Sequence, residues 1–289
     1  MEARPLIAIV GPTASGKTAL AVELAEKYGG EIICADSRTV YRSMDIGTAK
    51  PTLDEKHRVP HWGLDLVDPG QTYTAAEFKD YTDQKIAEIR SRGHIPFLVG
   101  GTGLYVDAVL FDYEFGDSAD PARRRELEQM NIAQLQELCR ENDVPLPEND
   151  KNKRHLIRAI ERGGSNNRRR SEPVDNSFIV GITTDREELR RRIEHRARQM
   201  FAEDVIREAE KLAARYGWDH ESMTGNIYPI CHLYLEGKLS LDEAVQKFVV
   251  QDWRLAKRQL TWFKRNKFIS WLSLDEAESR ITSVLDSEH

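Results

Sequence analysis

Residues 6–18 read LIAIVGPTASGKT, and this stretch decides the fold of the 289-residue chain. Its first five residues are apolar and mostly β-branched, which predicts a buried parallel strand that stops at Gly11. The segment GPTASGKT, from Gly11 to Thr18, fits the pattern GxxxxGK[ST] between a strand and a helix. Such a turn points successive backbone N–H groups at one phosphate, at the positive end of a helix dipole. The sequence therefore predicts a phosphate-binding P-loop.

Within this loop, Lys17 adds a full positive charge, and the hydroxyl of Thr18 is placed to bind Mg²⁺. The pattern is shared by ATP-binding and other nucleotide-binding proteins, and by itself it establishes only that phosphate is bound. Motor ATPases and GTPases usually end a later strand with a metal-binding aspartate. Here the later apolar run Pro96–Val99 ends instead in GGTG, residues 100–103.

Strand and helix patterns alternate around the loop. Further strands are predicted at Glu31–Ala35, Pro96–Val99 and Phe178–Ile182. Helices are predicted from the loop to Gly29-Gly30, from about Ala75 to Arg90, and from about Arg186 to Phe201. This alternation predicts an α/β fold, a P-loop NTPase-like parallel sheet flanked by helices.

Between residues 116 and 177 the strand pattern gives way to helical segments. These segments are Ala122–Met130, Ile132–Glu141 and Asn152–Glu161. We therefore predict a small all-helical insertion domain at 116–177, within a core formed by 1–115 and 178–289. The insertion ends in GGSNNRRRSEP, residues 163–173, a composition typical of a mobile loop or hinge.

Two strand ends carry polar side chains on the edge of the sheet where open α/β folds bind ligands. Asp36 and Ser37 follow the second strand, and Asp36 is well placed to act as a base. It would equally serve as a solvated carboxylate at a strand end or as an indirect Mg²⁺ ligand. Thr102 offers a hydroxyl that both donates and accepts. The glycines around it suit either close approach of a flat ligand or the capping of a strand.

The net charge of −6 hides an uneven distribution. Residues 151–200 contain 14 Lys and Arg against 7 Asp and Glu, and residues 247–267 contain 7 against 1, so the rest of the chain carries −19. An acidic body with two basic surfaces is expected of a protein that holds a polyanion in one place. In 247–267, Trp262 and Phe263 are interpreted as core aromatics of an amphipathic helix. The arginines of 186–198 alternate with glutamates, and they suit internal ion pairs as well as RNA or phosphate contact.

Composition excludes several classes of protein. No apolar run approaches the 18 residues of a membrane span, and the N-terminus lacks the pattern of a signal peptide, so we expect a cytoplasmic protein without a membrane partner. The cysteines Cys34, Cys139 and Cys231 lie far apart, which favours buried reduced thiols over a disulfide framework or a zinc site.

Five segments carry a resemblance to a known family. They are GPTASGKT from Gly11, ADSRTVYRSMDIGTAKPT from Ala35, LVGGTGLYVDAVL from Leu98, KRHLIRAIE from Lys153 and LAKRQLTWFKRN from Leu255. Together they extend in order over nearly the whole chain, and MDIGTAKP, GGTGLY and AKRQLTWF are far more specific than the P-loop. The chain resembles the bacterial-type tRNA dimethylallyltransferases, the tRNA isopentenyltransferases of the IPP transferase family.

The resemblance implies a prenyltransferase that moves a dimethylallyl group from dimethylallyl diphosphate to an adenosine of transfer RNA. The implied acceptor is the N6 amine of the adenosine directly 3′ of the anticodon, in tRNAs that read codons beginning with U. The implied cofactor is Mg²⁺, and the implied partner is the anticodon stem-loop, which the helical insertion helps to clamp. We expect the protein to be a monomer.

Residue by residue, the resemblance implies catalytic roles for Lys17, for Asp36 as general base and for Thr102 as the contact to the target adenine. It implies a diphosphate cradle, with Thr18 as the metal ligand, made of Gly11, Thr13, Ala14, Ser15, Gly16, Lys17 and Thr18. It implies RNA contacts at Asp36, Ser37, Arg38, Thr39, Thr102, Arg124, Arg154, His155, Arg158, Lys257, Arg258 and Gln259.

Three positions depart from the family pattern. Thr39 stands where glutamine is frequent, and Asp252-Trp253 stands where Thr-Arg is common. The segment Ile227–Ile230 replaces Gly-Tyr followed by a basic and an acidic or amide residue. The alternatives to a tRNA enzyme are an isopentenyltransferase acting on free adenine nucleotides, a small-molecule kinase, and a non-catalytic RNA-binding protein with a relic P-loop. The basic helical insertion disfavours the first of these, because a free nucleotide does not need it.

Overall fold

A computed structural model describes residues 4–115, 120–163 and 169–287 of the chain. The chain divides into two compact units, one of Met1–Phe111 with Glu172–His289 and one of Asp112–Ser171. Each unit has a hydrophobic core of its own.

The larger unit is an α/β sandwich around one sheet. Its strands are β1 (Leu6–Val10), β2 (Gly30–Ala35), β3 (His61–Trp62), β4 (Ile95–Gly100), β5 (Ser177–Ile182) and β6 (Ser270–Leu272). Its helices are α1 (Lys17–Tyr28), α2 (Leu53–Arg58), α3 (Ala75–Ser91), α4 (Gly103–Leu110), α8 (Arg186–Ala202), α9 (Val205–Tyr216), α10 (Tyr228–Leu235), α11 (Leu241–Phe263) and α12 (Leu274–Asp286), with a 3₁₀ turn at Glu221–Thr224. In the smaller unit the helices are α5 (Pro121–Gln129), α6 (Ile132–Glu141) and α7 (Lys153–Glu161).

The central strand β1 is buried along its whole length. Because successive side chains of a strand point to opposite faces, Ile7 and Ile9 join one core cluster, while Leu6, Ala8 and Val10 join the other. Helices α1 and α12 cover the first face, and helices that include α3, α8 and α11 cover the second. Burial on both faces is what the continuous apolar run predicts, and the predicted α/β fold is confirmed.

The strands run parallel in the order β3-β2-β4-β1-β5-β6. The carboxyl ends of β1, β2 and β4 therefore lie side by side at one edge of the sheet, which is where such folds place their ligands. The P-loop follows β1, Asp36 follows β2, and Thr102 follows β4.

The smaller unit packs its three helices around a separate core. Leu127, Leu135, Cys139 and Leu156 are completely buried there. Each helix begins at a polar cap, and Asn131 forms a reciprocal capping box with Gln134 at the start of α6. The three helical segments predicted from the sequence are confirmed.

Two further features of the composition have a structural counterpart. No helix within the described ranges combines the length and the apolar character that a membrane crossing requires. Cys34, Cys139 and Cys231 are buried free thiols.

Candidate active site

The P-loop curls between the end of β1 and the start of α1. The backbone takes positive φ angles of 62° at Ala14 and 90° at Gly16. A side chain at Gly16 would also collide with Leu274, because an added Cβ would lie 2.9 Å from its Cδ1 atom. Among the described residues no side chain caps the N-terminus of α1, and its first turn holds no acidic residue. Without a capping side chain, the first N–H groups of α1 and the helix dipole form an arrangement that favours an anion.

Lys17 lies with its ammonium group inside the loop, where Nζ donates to the carbonyl oxygen of Pro12 at 3.1 Å. Burial lowers the pKa of Lys17 to about 8; the carboxylates of Asp36 and Asp252 oppose this shift, while the charge of Arg196 adds to it. An anionic ligand would raise this pKa again. Lys17 is thus a cation at neutral pH, and a bound anion would keep it charged at higher pH as well.

Two arginines of α8 reach the P-loop. Nη1 of Arg192 donates to the carbonyl oxygen of Ser15 at 3.2 Å, and Nη1 of Arg196 donates to Oγ1 of Thr13. Sequence reasoning had left the arginines of 186–198 between ion pairing and phosphate contact. Both interpretations hold in part. Arg191 and Arg198 pair with glutamates of their own helix, whereas Arg192 pairs with Glu188 through Nε at 2.8 Å and reaches the loop through Nη1.

Gln259 on α11 also holds the loop. Its Oε1 accepts a hydrogen bond of 2.8 Å from the backbone N–H of Thr13. The amide Nε2 lies beside Gly101, where an added Cβ would come within 2.4 Å of it. Gln259 therefore joins the P-loop to the end of β4, in addition to any contact with RNA.

Asp36 stands at the end of β2 in a tight turn. Its Oδ1 accepts from the backbone N–H of Arg38 at 2.8 Å. Within the described residues Oδ2 has no hydrogen-bond partner, and the side chain is partly exposed. One carboxylate oxygen thus fixes the side chain, and the other is available to take a proton.

Thr102 lies next to the turn of Asp36, at the end of β4 and the start of α4. Its Oγ1 accepts from the backbone N–H of Ser37 at 3.0 Å and lies 3.4 Å from the hydroxyl oxygen of Ser37. Its own N–H donates to the carbonyl oxygen of Ala35 at 3.1 Å. The structure therefore brings together the three elements that the sequence placed at strand ends: the P-loop, Asp36 and Thr102.

The glycines beside Thr102 permit close approach of the protein's own groups. An added Cβ at Gly100 would lie 2.1 Å from the carbonyl oxygen of Ala35, and one at Gly103 would lie 2.2 Å from Cδ1 of Trp262. At Gly100 and Gly103 the close approach is thus made by Ala35 and Trp262 of the protein itself, and the approach of a flat ligand stays a prediction.

Arg38 and Thr39, both predicted to contact RNA, make internal hydrogen bonds. The guanidinium of Arg38 donates to the carbonyl oxygens of Glu221 and Ser222 and to Oγ1 of Thr224, at 3.3 to 3.5 Å. Thr39 is buried, and its hydroxyl donates to the carbonyl oxygen of Asp36 at 3.2 Å. Both side chains thus support the turn that carries Asp36.

The basic residues of α11 lie on its outer face. Lys257 and Arg258 are exposed, and the ammonium of Lys257 lies 5.6 Å from the ring centre of Trp253. Phe263 is completely buried, as predicted. The same prediction was wrong for Trp262, which is 37% exposed and donates through Nε1 to Asp107 at 2.7 Å.

In the smaller unit, the predicted RNA-binding cations lie on α5 and α7. Arg124 donates to both oxygens of Glu161, at 3.0 and 3.1 Å, and is tied to the smaller unit. Arg154, His155 and Arg158 are exposed on α7. The guanidinium of Arg158 is partly shielded from solvent although the residue is exposed, and this partial burial, followed by the neighbouring charges of Arg124 and other arginines, lowers the pKa of Arg158 from its ordinary value. Arg154 and Arg158 are one helical turn apart and share a face.

The fold and the loop define an α/β protein with a P-loop, a motif that is typical of phosphate-binding sites. A family model described as IPP transferase matches residues 39–266, and one described as isopentenyl transferase matches residues 4–61. The chain therefore belongs to the IPP transferase family, and it is an enzyme of the prenyltransferase class.

Individual relatives agree with this assignment. A tRNA dimethylallyltransferase of Shouchella clausii is 39% identical over all of this chain and 97% of its own length. One of Pelotomaculum thermopropionicum is 40% identical over 94% of this chain and 91% of its own length. The crystal structure of the full-length tRNA isopentenylpyrophosphate transferase of Bacillus halodurans has a TM-score of 0.74 and 38% identity, covering 98% of this chain and 97% of that one.

Proposed function

We propose that this protein transfers the dimethylallyl group of dimethylallyl diphosphate to the N6 amine of an adenosine in tRNA and releases diphosphate. The acceptor that we propose is the adenosine directly 3′ of the anticodon, in tRNAs reading codons that begin with U. The observation that carries the proposal is the meeting of a P-loop with Asp36 and Thr102 at one sheet edge, in a chain of this family.

The donor would bind with its diphosphate in the P-loop. As the bond between the allylic carbon and oxygen breaks, negative charge grows on the leaving diphosphate. Lys17, the N–H groups at the start of α1 and the two guanidinium groups of Arg192 and Arg196 can stabilise that charge. These groups are held in place by protein contacts, so little reorganisation is needed during the reaction.

The acceptor amine needs a base. Its lone pair is delocalised into the purine ring, and the amine becomes a good nucleophile only as it loses a proton. In the proposed reaction, N6 forms a bond to the allylic carbon while a proton of the amine passes to Oδ2 of Asp36. Such base catalysis contributes about 10²–10⁴-fold. The hydroxyl of Thr102, held by Ser37, can orient the adenine.

Mg²⁺ fits the donor set at Thr18. The ion prefers hard oxygen ligands and is commonly held by one or two protein groups together with phosphates and water. Thr18 supplies a hydroxyl in the first turn of α1, and the described residues contain no cluster of three His, Cys, Asp or Glu side chains that would form a complete protein cage. When bound, the ion would neutralise charge on the diphosphate.

The acceptor base must leave its stack to reach a site at the sheet edge, at a cost of a few kcal/mol. Cations that contact the RNA backbone can offset this cost. Lys257 and Arg258 on α11 and the basic face of α7, with Arg154, His155 and Arg158, are exposed and suited to that role.

The experiment combines protein, Mg²⁺ and labelled dimethylallyl diphosphate with one of three acceptors. They are an unmodified tRNA with adenosine 3′ of the anticodon, the same tRNA with guanosine at that position, and free AMP. We expect label only on the first. Label on AMP would support the enzyme of free nucleotides instead. Transfer of a phosphoryl group from ATP, without prenylation of any acceptor, would disprove the proposal.

A further inference from the structure

Asp252 is a carboxylate buried in the contact between α8 and α11. It is 2% exposed. Its Oδ2 accepts from Nη1 of Arg196 at 3.2 Å, and its Oδ1 accepts from Nδ2 of Asn226 at 3.3 Å. Within the described residues these are its hydrogen-bond partners, and both distances are long for charged groups. A buried charge held by two long bonds is a poor source of stability, because desolvation cancels much of the attraction.

Arg196, the partner of this carboxylate, also contacts the P-loop. The Nη1 atom of Arg196 that bonds to Asp252 also donates to Oγ1 of Thr13. Thr13 is itself fixed through its backbone N–H by Gln259. The residues thus form one chain of hydrogen bonds from Asn226 to the loop.

Arg196 retains an unused donor. Its Nε atom is buried and has no hydrogen-bond partner in the described part of the chain. A buried donor without an acceptor is unfavourable, and such groups are common where a ligand completes the bond. The protein therefore holds Nη1 of the guanidinium, while Nε still lacks an acceptor within the described residues.

We propose that Asp252 is a positioning residue of the phosphate site. Together with Asn226 it holds the guanidinium of Arg196 against Thr13, so that a cation is in place at the loop before diphosphate arrives. A cation fixed in advance loses less conformational freedom on binding than a mobile one. Asp252 opens one of the segments at which this chain departs from the family pattern. The inference rests on the proposed function in one respect, namely that the loop holds a diphosphate.

Calorimetry of inorganic diphosphate binding in the presence of Mg²⁺ tests this role without requiring prenyl transfer. The proteins compared are the wild type, Asp252→Ala, Asp252→Asn, Arg196→Ala and the double variant Asp252→Ala/Arg196→Ala. Glu194→Gln is the matched control, because Glu194 forms an exposed ion pair with Arg198 at 3.0 Å on the same helix. Thermal unfolding of each variant is measured in parallel.

We expect Asp252→Ala to weaken diphosphate binding about tenfold, and Asp252→Asn, which keeps an oxygen acceptor at the same place, by only two- to threefold. The double variant should bind no more weakly than Arg196→Ala, since the carboxylate acts through the arginine. Glu194→Gln should bind like the wild type. In the prenyl transfer assay, Asp252→Ala should raise the KM for the donor and leave the KM for tRNA unchanged.

Unchanged diphosphate affinity in Asp252→Ala would overturn the inference, even if that variant melts at a lower temperature, because the ion pair would then only join two helices. Additive losses in the double variant would also overturn it. If prenyl transfer fails in the wild type while these binding results hold, the proposed reaction is wrong and the positioning role of Asp252 stands.

Discussion

The backbone N–H of Ser37 donates a 3.0 Å hydrogen bond to Oγ1 of Thr102, and this bond joins the ends of β2 and β4. It crosses 65 residues of sequence and places the turn of Asp36 beside the start of α4. With one lone pair of the hydroxyl used by Ser37, its second lone pair remains to meet an adenine. The bond therefore links the turn of Asp36, the proposed general base, to Thr102, the proposed contact to the adenine.

Replacing Thr102 tests this link. Thr102→Ala removes the acceptor of Ser37 and the proposed adenine contact, and we expect kcat/KM for tRNA to fall about tenfold or more. Thr102→Ser keeps the hydroxyl and should stay within a few-fold of the wild type. Steady-state kinetics with both substrates measures the two variants. Equal losses in both would show that the methyl group, rather than the hydroxyl, matters at this position.

Loss of the Asp36 carboxylate should lower the rate of prenyl transfer and leave the affinity for RNA unchanged. Asp36→Ala is expected to lower the single-turnover rate about a hundredfold, because no other carboxylate takes its place in the turn after β2. Filter binding of tRNA should remain close to that of the wild type. A large loss of RNA affinity would instead assign Asp36 a structural role.

The pKa of Lys17 should limit kcat/KM for the donor at alkaline pH. Burial lowers this pKa to about 8 in the free protein, so the ammonium is charged below that pH and neutral above it. Since the proposed donor is an anion, kcat/KM for the donor should be level below pH 8 and fall above it. Lys17→Arg keeps its charge throughout this range, so its lower activity should show no such decline. The same alkaline fall in Lys17→Arg would assign the titration to another group.

The sequence predicted the sheet well where its strands are long. β1, β2, β4 and β5 lie within one residue of their predicted bounds, because parallel strands buried on both faces appear as continuous apolar runs. The edge strands β3 and β6 have two and three residues, too few for any alternation to appear.

The site was predicted as far as it depends on strand ends. Arg192 and Arg196 could not be separated from the other arginines of α8, because composition does not show which face meets the loop. The available signal was spacing: the two are one turn apart and flank the buried stripe of Leu189, Ile193 and Ala197.

The segment MDIGTAKP was specific to the family, but its physical purpose appears only in three dimensions. The carboxylate of Glu208 accepts from three successive backbone N–H groups, of Asp45, Ile46 and Gly47, each at 2.8 Å. Buried Lys50 donates to Asp45 and Asp65 at 2.7 and 2.6 Å. Glu208 lies more than 160 residues from this segment and Asp65 lies 15 residues from Lys50, so the segment alone does not reveal these two partners.

Gly101 should be intolerant of a side chain. An added Cβ at this position would lie 2.4 Å from Nε2 of Gln259, so Gly101→Ala should displace that amide and free the N–H of Thr13. We expect the KM for the donor to rise about tenfold. Gly70→Ala is the control, because its Cβ would meet Tyr216 at an ordinary 3.4 Å. If Gln259→Ala does not raise the KM for the donor in the same way, the effect does not pass through that amide.

Glu31 should stabilise the far edge of the sheet in a pH-dependent way. Burial raises its pKa, but hydrogen bonds from Arg92, His94 and Trp62 outweigh burial and leave the pKa below its ordinary value. A carboxyl with a lowered folded pKa stabilises the fold above its unfolded pKa, and this stabilisation is lost as pH falls through the folded value. Glu31→Gln should therefore cost about 2 kcal/mol of unfolding free energy at pH 7 and progressively less in acid. Glu26→Gln, which breaks an exposed pair with Arg58, should be much milder in urea unfolding, and equal effects of the two would contradict this account.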